Sequence, residues 1–159
     1  MNRKIRVTVW NEFRHEREME NVRAIYPNGI HSCIGDFLSK AGYDVTLATL
    51  IDPGQGLSDD VLDNTDVLIW WGHIEHHKVD DAIVEKIASR VFDYGMGFIA
   101  LHSAHKSKPF CKLVGTSGNL LWGDDQRRSS GTFSPLIRSQ KAFPSISFSP
   151  LKKCTASPL

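Results

Sequence analysis

The sequence has no run of 18 apolar residues, so nothing in it reads as a transmembrane helix. The start, MNRKIRVTVWNEF, is basic but lacks the apolar stretch of a secretory leader, and the expected location is cytoplasmic. Cysteine is scarce. Cys33, Cys111 and Cys154 stand far apart with no C-x-x-C pair, which fits reduced thiols and argues against a disulfide framework or a zinc ribbon. Net charge is +1, so there is no electrostatic case for a nucleic-acid or membrane-surface partner. The absences are uneven along the chain. No Asp or Glu occurs after Asp125, and no histidine after His105. From Arg127 to Leu159 there are six Lys/Arg, eight Ser and four Pro, with neither a 2.0 nor a 3.6 period. That composition predicts a domain over 1–126 and a disordered tail over 127–159.

What remains is enough for one domain with a core. Lys4–Trp10 (KIRVTVW) is β-branched and apolar and reads as a buried strand, followed by a long polar loop. A helix follows with Ile30, Cys33, Ile34, Phe37 and Leu38 on one face, ended by Gly42. Asp44–Thr49 reads as the second strand. DPGQG is a turn, and Ser58 is placed to cap a short helix to Asp63. Val67–Trp71 is apolar throughout, as a strand covered on both faces would be. A helix from about Val79 to Phe92 carries Ile83, Val84, Ile87, Val91 and Phe92 on one side. Gly97–Leu101 is a fourth strand, and a helix near Ser107–Val114 closes the pattern. Alternating strands and helices predict an α/β fold: a parallel sheet with helices on both faces.

In such sheets ligands bind outside the carboxyl ends of the strands. Asn11, Glu12 and His15 follow the first strand, His73, His76 and His77 the third, and His102, Ser103 and His105 the fourth. His31 starts the first long helix. His102 stands where a strand turns into a helix, the position of the nucleophile in elbow folds. Imidazole there can act as general base, general acid or metal ligand. His105 is one helical turn further on, and His73 directly follows a strand and a glycine. His76 and His77 are adjacent and cannot both face inward. LHSAH is not G-x-S-x-G, which argues against Ser103 as a nucleophile. Histidines from three loops, with His73, His102 and His31 as the trial set and Glu12 as a base, could hold zinc, although no H-E-x-x-H or cysteine-pair spacing supports it. Trp70 and Trp71 must point to opposite faces, so one is core and the other can offer a flat face to a sugar ring.

VTVWNEFRHE, YPNGIH, VLIWWGHIEHH and LHSAH…LVGTSGNLLW, in this order, resemble the trehalose-utilisation (ThuA-like) family over roughly residues 4–125. The resemblance implies a flavodoxin-like α/β sandwich of the class I glutamine amidotransferase-like superfamily. It places a histidine, His102, where amidotransferases carry a cysteine, so glutamine hydrolysis is not implied. It also implies a part in disaccharide or 3-keto-sugar catabolism, with a small sugar as ligand. His102, His73, His105 and Glu12 are the expected catalytic set, and Trp71, His31, His15, Asn11 and Ser103 the expected binding set. A non-catalytic sugar-binding or regulatory module is the alternative. Ala104 and Gly118 stand where the family pattern has glycine and cysteine, so a cysteine has no role at that position. The resemblance stops near Gln126. Permitted codons for Ser129–Leu159, read in another frame, give SHPIAKGI and EEMYGEP, similar to the family's own continuation. The expectation is a chain truncated by an out-of-frame tail, marginal or inactive in this form, with a homo-oligomer open to the full-length protein.

Overall fold

The computed structural model describes residues 3–119. The tail expected from Arg127 lies outside the described residues. Among the described residues four strands, β1 (Arg6–Asn11), β2 (Asp44–Thr49), β3 (Val67–Trp71) and β4 (Gly97–Leu101), form an all-parallel sheet in the order β2-β1-β3-β4. The register sets Trp10 beside Trp70 and Asn11 beside Trp71, so β1 and β3 end level with each other. From β1 the chain steps outward to β2, then returns across β1 to β3. The order therefore reverses between β1 and β3, where a flavodoxin-like fold opens its crevice.

Among the described residues six α-helices accompany these strands: α1 (His15–Glu18), α2 (Glu20–Ile25), α3 (Ile30–Lys40), α4 (Asp59–Asp63), α5 (Asp81–Phe92) and α6 (Lys108–Val114). The segment expected as a long polar loop is in fact α1 and α2. Both are too short to show a 3.6-residue apolar period, so the sequence pattern hid them. Ser58 caps α4 as the sequence suggested, its Oγ accepting from Val61 N, and Ser107 caps α6 in the same way, its Oγ accepting from Phe110 N.

Side chains alternate across the strands. Trp10, Leu68 and Trp70 face α5, where Ile83, Val84 and Ile87 complete the larger core. Trp10 and Trp70 stack with ring centroids 3.7 Å apart and planes 17° from parallel. Val7, Val9 and Ile69 face the other way and pack with Ile34 and Leu38 of α3. The sheet is thus covered on both sides. The helix faces are rotated from expectation. On α3, His31 and Gly35 are buried while Cys33 and Phe37 are exposed; on α5, Ala88 is buried and Phe92 exposed. Gly35 is the cause on α3. A Cβ there would lie 2.6 Å from Leu47 Cδ2, so the helix turns its glycine toward β2 and approaches closely.

Candidate functional site

The carboxyl ends of β1, β3 and β4 bring most of the expected residues to one edge. His102 takes φ +47° directly after β4, in the left-handed region that a side-chain-bearing residue rarely enters. It starts a 3₁₀ turn, His102–Lys106, so the strand ends in a sharp, strained corner. The Ser103 hydroxyl donates to Gly72 O at 3.0 Å. Its only proton is committed there, so the 3.2 Å contact with His102 Nδ1 has the imidazole N–H donating to Ser103 Oγ. In the tautomer this contact selects, the free lone pair is on Nε2. Ser103 is a link between His102 and the β3 loop.

His73 faces this corner with its ring centroid 6.4 Å from that of His102. On its other side lies His15, at 5.3 Å. His15 in turn meets the edge of Trp71 at 6.3 Å. His73 and His102 are exposed, His15 and Trp71 half-buried. Trp70 is the core tryptophan and Trp71 the one left at the crevice. His105 turns elsewhere. Its Nδ1–H donates to Gly118 O at 2.6 Å. Gly118 sits at φ +66°, and a Cβ there would come within 2.1 Å of His105 O, so this closure requires glycine.

Glu12 does not occupy the place of a free base. It is 2 % exposed, and its carboxylate accepts three backbone N–H groups: from His73 at 2.7 Å, Glu75 at 3.0 Å and Ile74 at 3.2 Å. Successive amides of this kind form an anion-binding nest, here filled by the chain's own carboxylate. Glu12 therefore fixes the loop that carries His73. The nearest side-chain nitrogen recorded for it is His15 Nδ1, at 3.8 Å.

Asn11 and His31 are likewise committed. Phe13 N donates to Asn11 Oδ1 at 2.9 Å, which fixes the amide orientation. Asn11 Nδ2 then donates to Glu16 Oε1 at 2.8 Å and to His31 Nδ1 at 3.0 Å. His31 is consequently a neutral acceptor at Nδ1, and burial pushes its pKa below the usual 6.5, against the opposing charges of Glu16 and Asp52. Both residues are buried, Asn11 at the end of β1 and His31 at the start of α3, and do not reach the rim of the crevice. The trial zinc set is not assembled: among the described residues no group of three His, Cys, Asp or Glu is arranged to hold a metal ion.

The residue that sequence reasoning undervalued is His76. Its partner His77 is exposed, but His76 is half-buried, and its Nε2 is buried with no hydrogen-bond partner. Burial lowers its pKa. Glu12 acts in the opposite sense, while His73, His105 and Lys106 add to the lowering. Two adjacent histidines cannot both face inward, and the register of the 3₁₀ turn His76–Lys78 turns His76 toward the protein.

The edge also holds a cavity of about 320 Å3 on the β2 side of Glu12, between α1, the turn after β2 and the loop after β3. No helix among the described residues is long and apolar enough to cross a membrane. Comparison with known proteins adds the following. The model of the trehalose utilisation (ThuA) family matches residues 6–149, past the Gln126 limit of the visible motifs. No curated protein matches the chain. With nine-tenths of its length inside the family's pattern, and a parallel flavodoxin-like sheet carrying it, the chain belongs to the trehalose utilisation family.

Proposed function

We propose that this protein processes a disaccharide or its keto derivative in the crevice at the carboxyl ends of β1, β3 and β4, with His102 as the acid–base group. One observation carries the reading. His102 is held at a strained corner, its Nδ1–H engaged through Ser103 to Gly72 O, with Nε2 left as the basic atom of an exposed ring. A fixed tautomer on an exposed, strained residue has no use in packing. It is what proton abstraction from a bound hydroxyl or α-carbon requires.

The other residues take supporting parts. His73 lies across from His102 and can exchange a proton with the opposite side of a ligand. Trp71, with His15 at its edge, offers a flat surface to a sugar ring. Glu12 positions His73 through the backbone of its loop. Family membership supports the sugar as ligand class.

The test is consumption of trehalose, related disaccharides and their 3-keto forms by the wild-type chain and by His102→Ala. Loss of a positioned acid–base group lowers the rate by about 10²–10⁴-fold. Retention of the full rate in a folded His102→Ala protein would remove the proposal. Sugar binding without turnover in the wild type would favour a binding or regulatory module.

A further inference from the structure

The imidazole groups occupy only half of the carboxyl edge. The other half, the cavity of about 320 Å3, touches none of them directly but shares a wall with them. That wall is Glu12, which lines the cavity and at the same time binds the backbone N–H groups of His73, Ile74 and Glu75. Glu12 therefore stands between the cavity and the backbone of the loop that carries His73.

The lining is polar and balanced in charge. Arg14, Arg17 and Lys78 face Glu12, Glu18 and Glu75. Arg14 donates to Glu18 Oε2 at 2.8 Å and also to Glu75 Oε1, and Lys78 pairs with Glu75 Oε2 at 2.8 Å. Glu75 is 5 % exposed, so this chain of charges is fixed from beneath. Gln55 holds the remaining wall: its side chain donates to Lys78 O at 2.9 Å and accepts from Asp80 N at 3.1 Å. Leu50 and Ile51, following β2, give one apolar side, and Ile51 is 54 % exposed.

Such a cavity suits a neutral polyhydroxy compound. Fixed carboxylates accept from hydroxyls, and guanidinium and ammonium groups donate to them. An anion gains little, because three carboxylates oppose three cations. The volume lies at the lower end of small-molecule sites, about 300–1,000 Å3, and fits one sugar ring with its water.

We infer that this cavity is a second subsite, which binds the non-reacting ring of an uncharged disaccharide while the other ring lies at His73 and His102. The inference rests on the sugar-processing reading above and adds to it both length and charge selectivity. A disaccharide should bind better than a monosaccharide, and a sugar phosphate should gain nothing from its charge.

Ile51 provides the test, since it lines the cavity, is exposed and makes no polar contact that a substitution would break. Calorimetric titration with trehalose, glucose and glucose 6-phosphate is done on the wild type, Ile51→Trp and Ile51→Ala. In the wild type, trehalose is expected to bind at least tenfold more tightly than glucose, and glucose 6-phosphate no more tightly than glucose. Ile51→Trp fills the cavity and should reduce the trehalose preference to within twofold of unity, with glucose affinity retained. Ile51→Ala, which opens space, should keep the preference. Equal affinity for trehalose and glucose in the wild type would overturn the inference. So would a preference that survives Ile51→Trp, or a tenfold gain from the phosphate. The turnover of His102→Ala is read separately. If His102 proves dispensable while Ile51→Trp still removes the trehalose preference, the catalytic reading fails and the subsite stands.

Discussion

Two buried carboxylates at the carboxyl edge serve the backbone. Glu12 accepts from the amides of His73, Ile74 and Glu75, and Glu16 Oε1 accepts from Asn11 Nδ2 and Ile30 N at 2.8 and 3.0 Å. Removing an acceptor from buried donors costs about 1–3 kcal/mol. Glu12→Gln keeps the shape but turns an NH2 group toward amides, and we expect a loss of about 2 kcal/mol in urea unfolding, with shifted His73 and Ile74 amide resonances. An unchanged midpoint would mean that the loop holds itself. His102 gives a complementary prediction. At φ +47° a Cβ is unfavourable, so His102→Gly should be more stable than His102→Ala by about 1 kcal/mol, while both lose the imidazole. Of these two residues His102 was legible in the sequence, because it directly follows an apolar strand. The role of Glu12 was not. Its partners are main-chain amides about sixty positions away, which have no residue type to reveal them.

At the scale of elements, the start of α3 shows how the site is underpinned. Gly29 precedes the helix at φ +86° and caps it with no side chain. Glu16 supplies the missing acceptor from α1, through Ile30 N, where a negative charge also suits the positive end of the helix. The His31 ring lies where a Gly29 side chain would be: a Cβ would meet His31 Cε1 at 2.3 Å and Phe13 Cε2 at 2.8 Å. Gly29→Ala should therefore cost about 2 kcal/mol or more and displace His31, a change visible in its imidazole resonances. A stable alanine variant with an unmoved His31 would contradict this packing. The strands were readable almost to the residue, since β-branched and apolar runs bounded by polar turns have few other interpretations. The helix faces were less so. Apolar spacing alone put Cys33 and Phe37 inward, whereas the close approach of Gly35 to Leu47 rolls α3 about its axis.

For the molecule as a whole, the two histidines with lowered pKa link stability to pH. Burial holds His31 and His76 below their usual value of 6.5, so between the folded and unfolded values the unfolded chain binds more protons. Stability then rises with pH through that window and is lost as pH falls below about 6.5. Asp66, held well below the usual carboxylate range by hydrogen bonds from Arg6, adds stability that is present above its unfolded value and lost only in stronger acid. Urea midpoints recorded from pH 7.5 to 5 should decline below 6.5, and His31→Gln should shrink the decline. A flat profile would contradict the neutral, buried state of both rings. The family blocks made the parallel sheet and the His102 corner legible together, but the cavity beyond Glu12 arises from three connections that meet only in the folded chain. Whether the imidazole of His102 does the chemistry is decided by chemical rescue. His102 is exposed, so free imidazole can reach the space left in His102→Ala. Sugar turnover lost in this variant is expected to return in proportion to added imidazole, with the wild type unaffected. A folded, sugar-binding His102→Ala protein that turns over at the wild-type rate, or that imidazole leaves inactive, would contradict that role for His102.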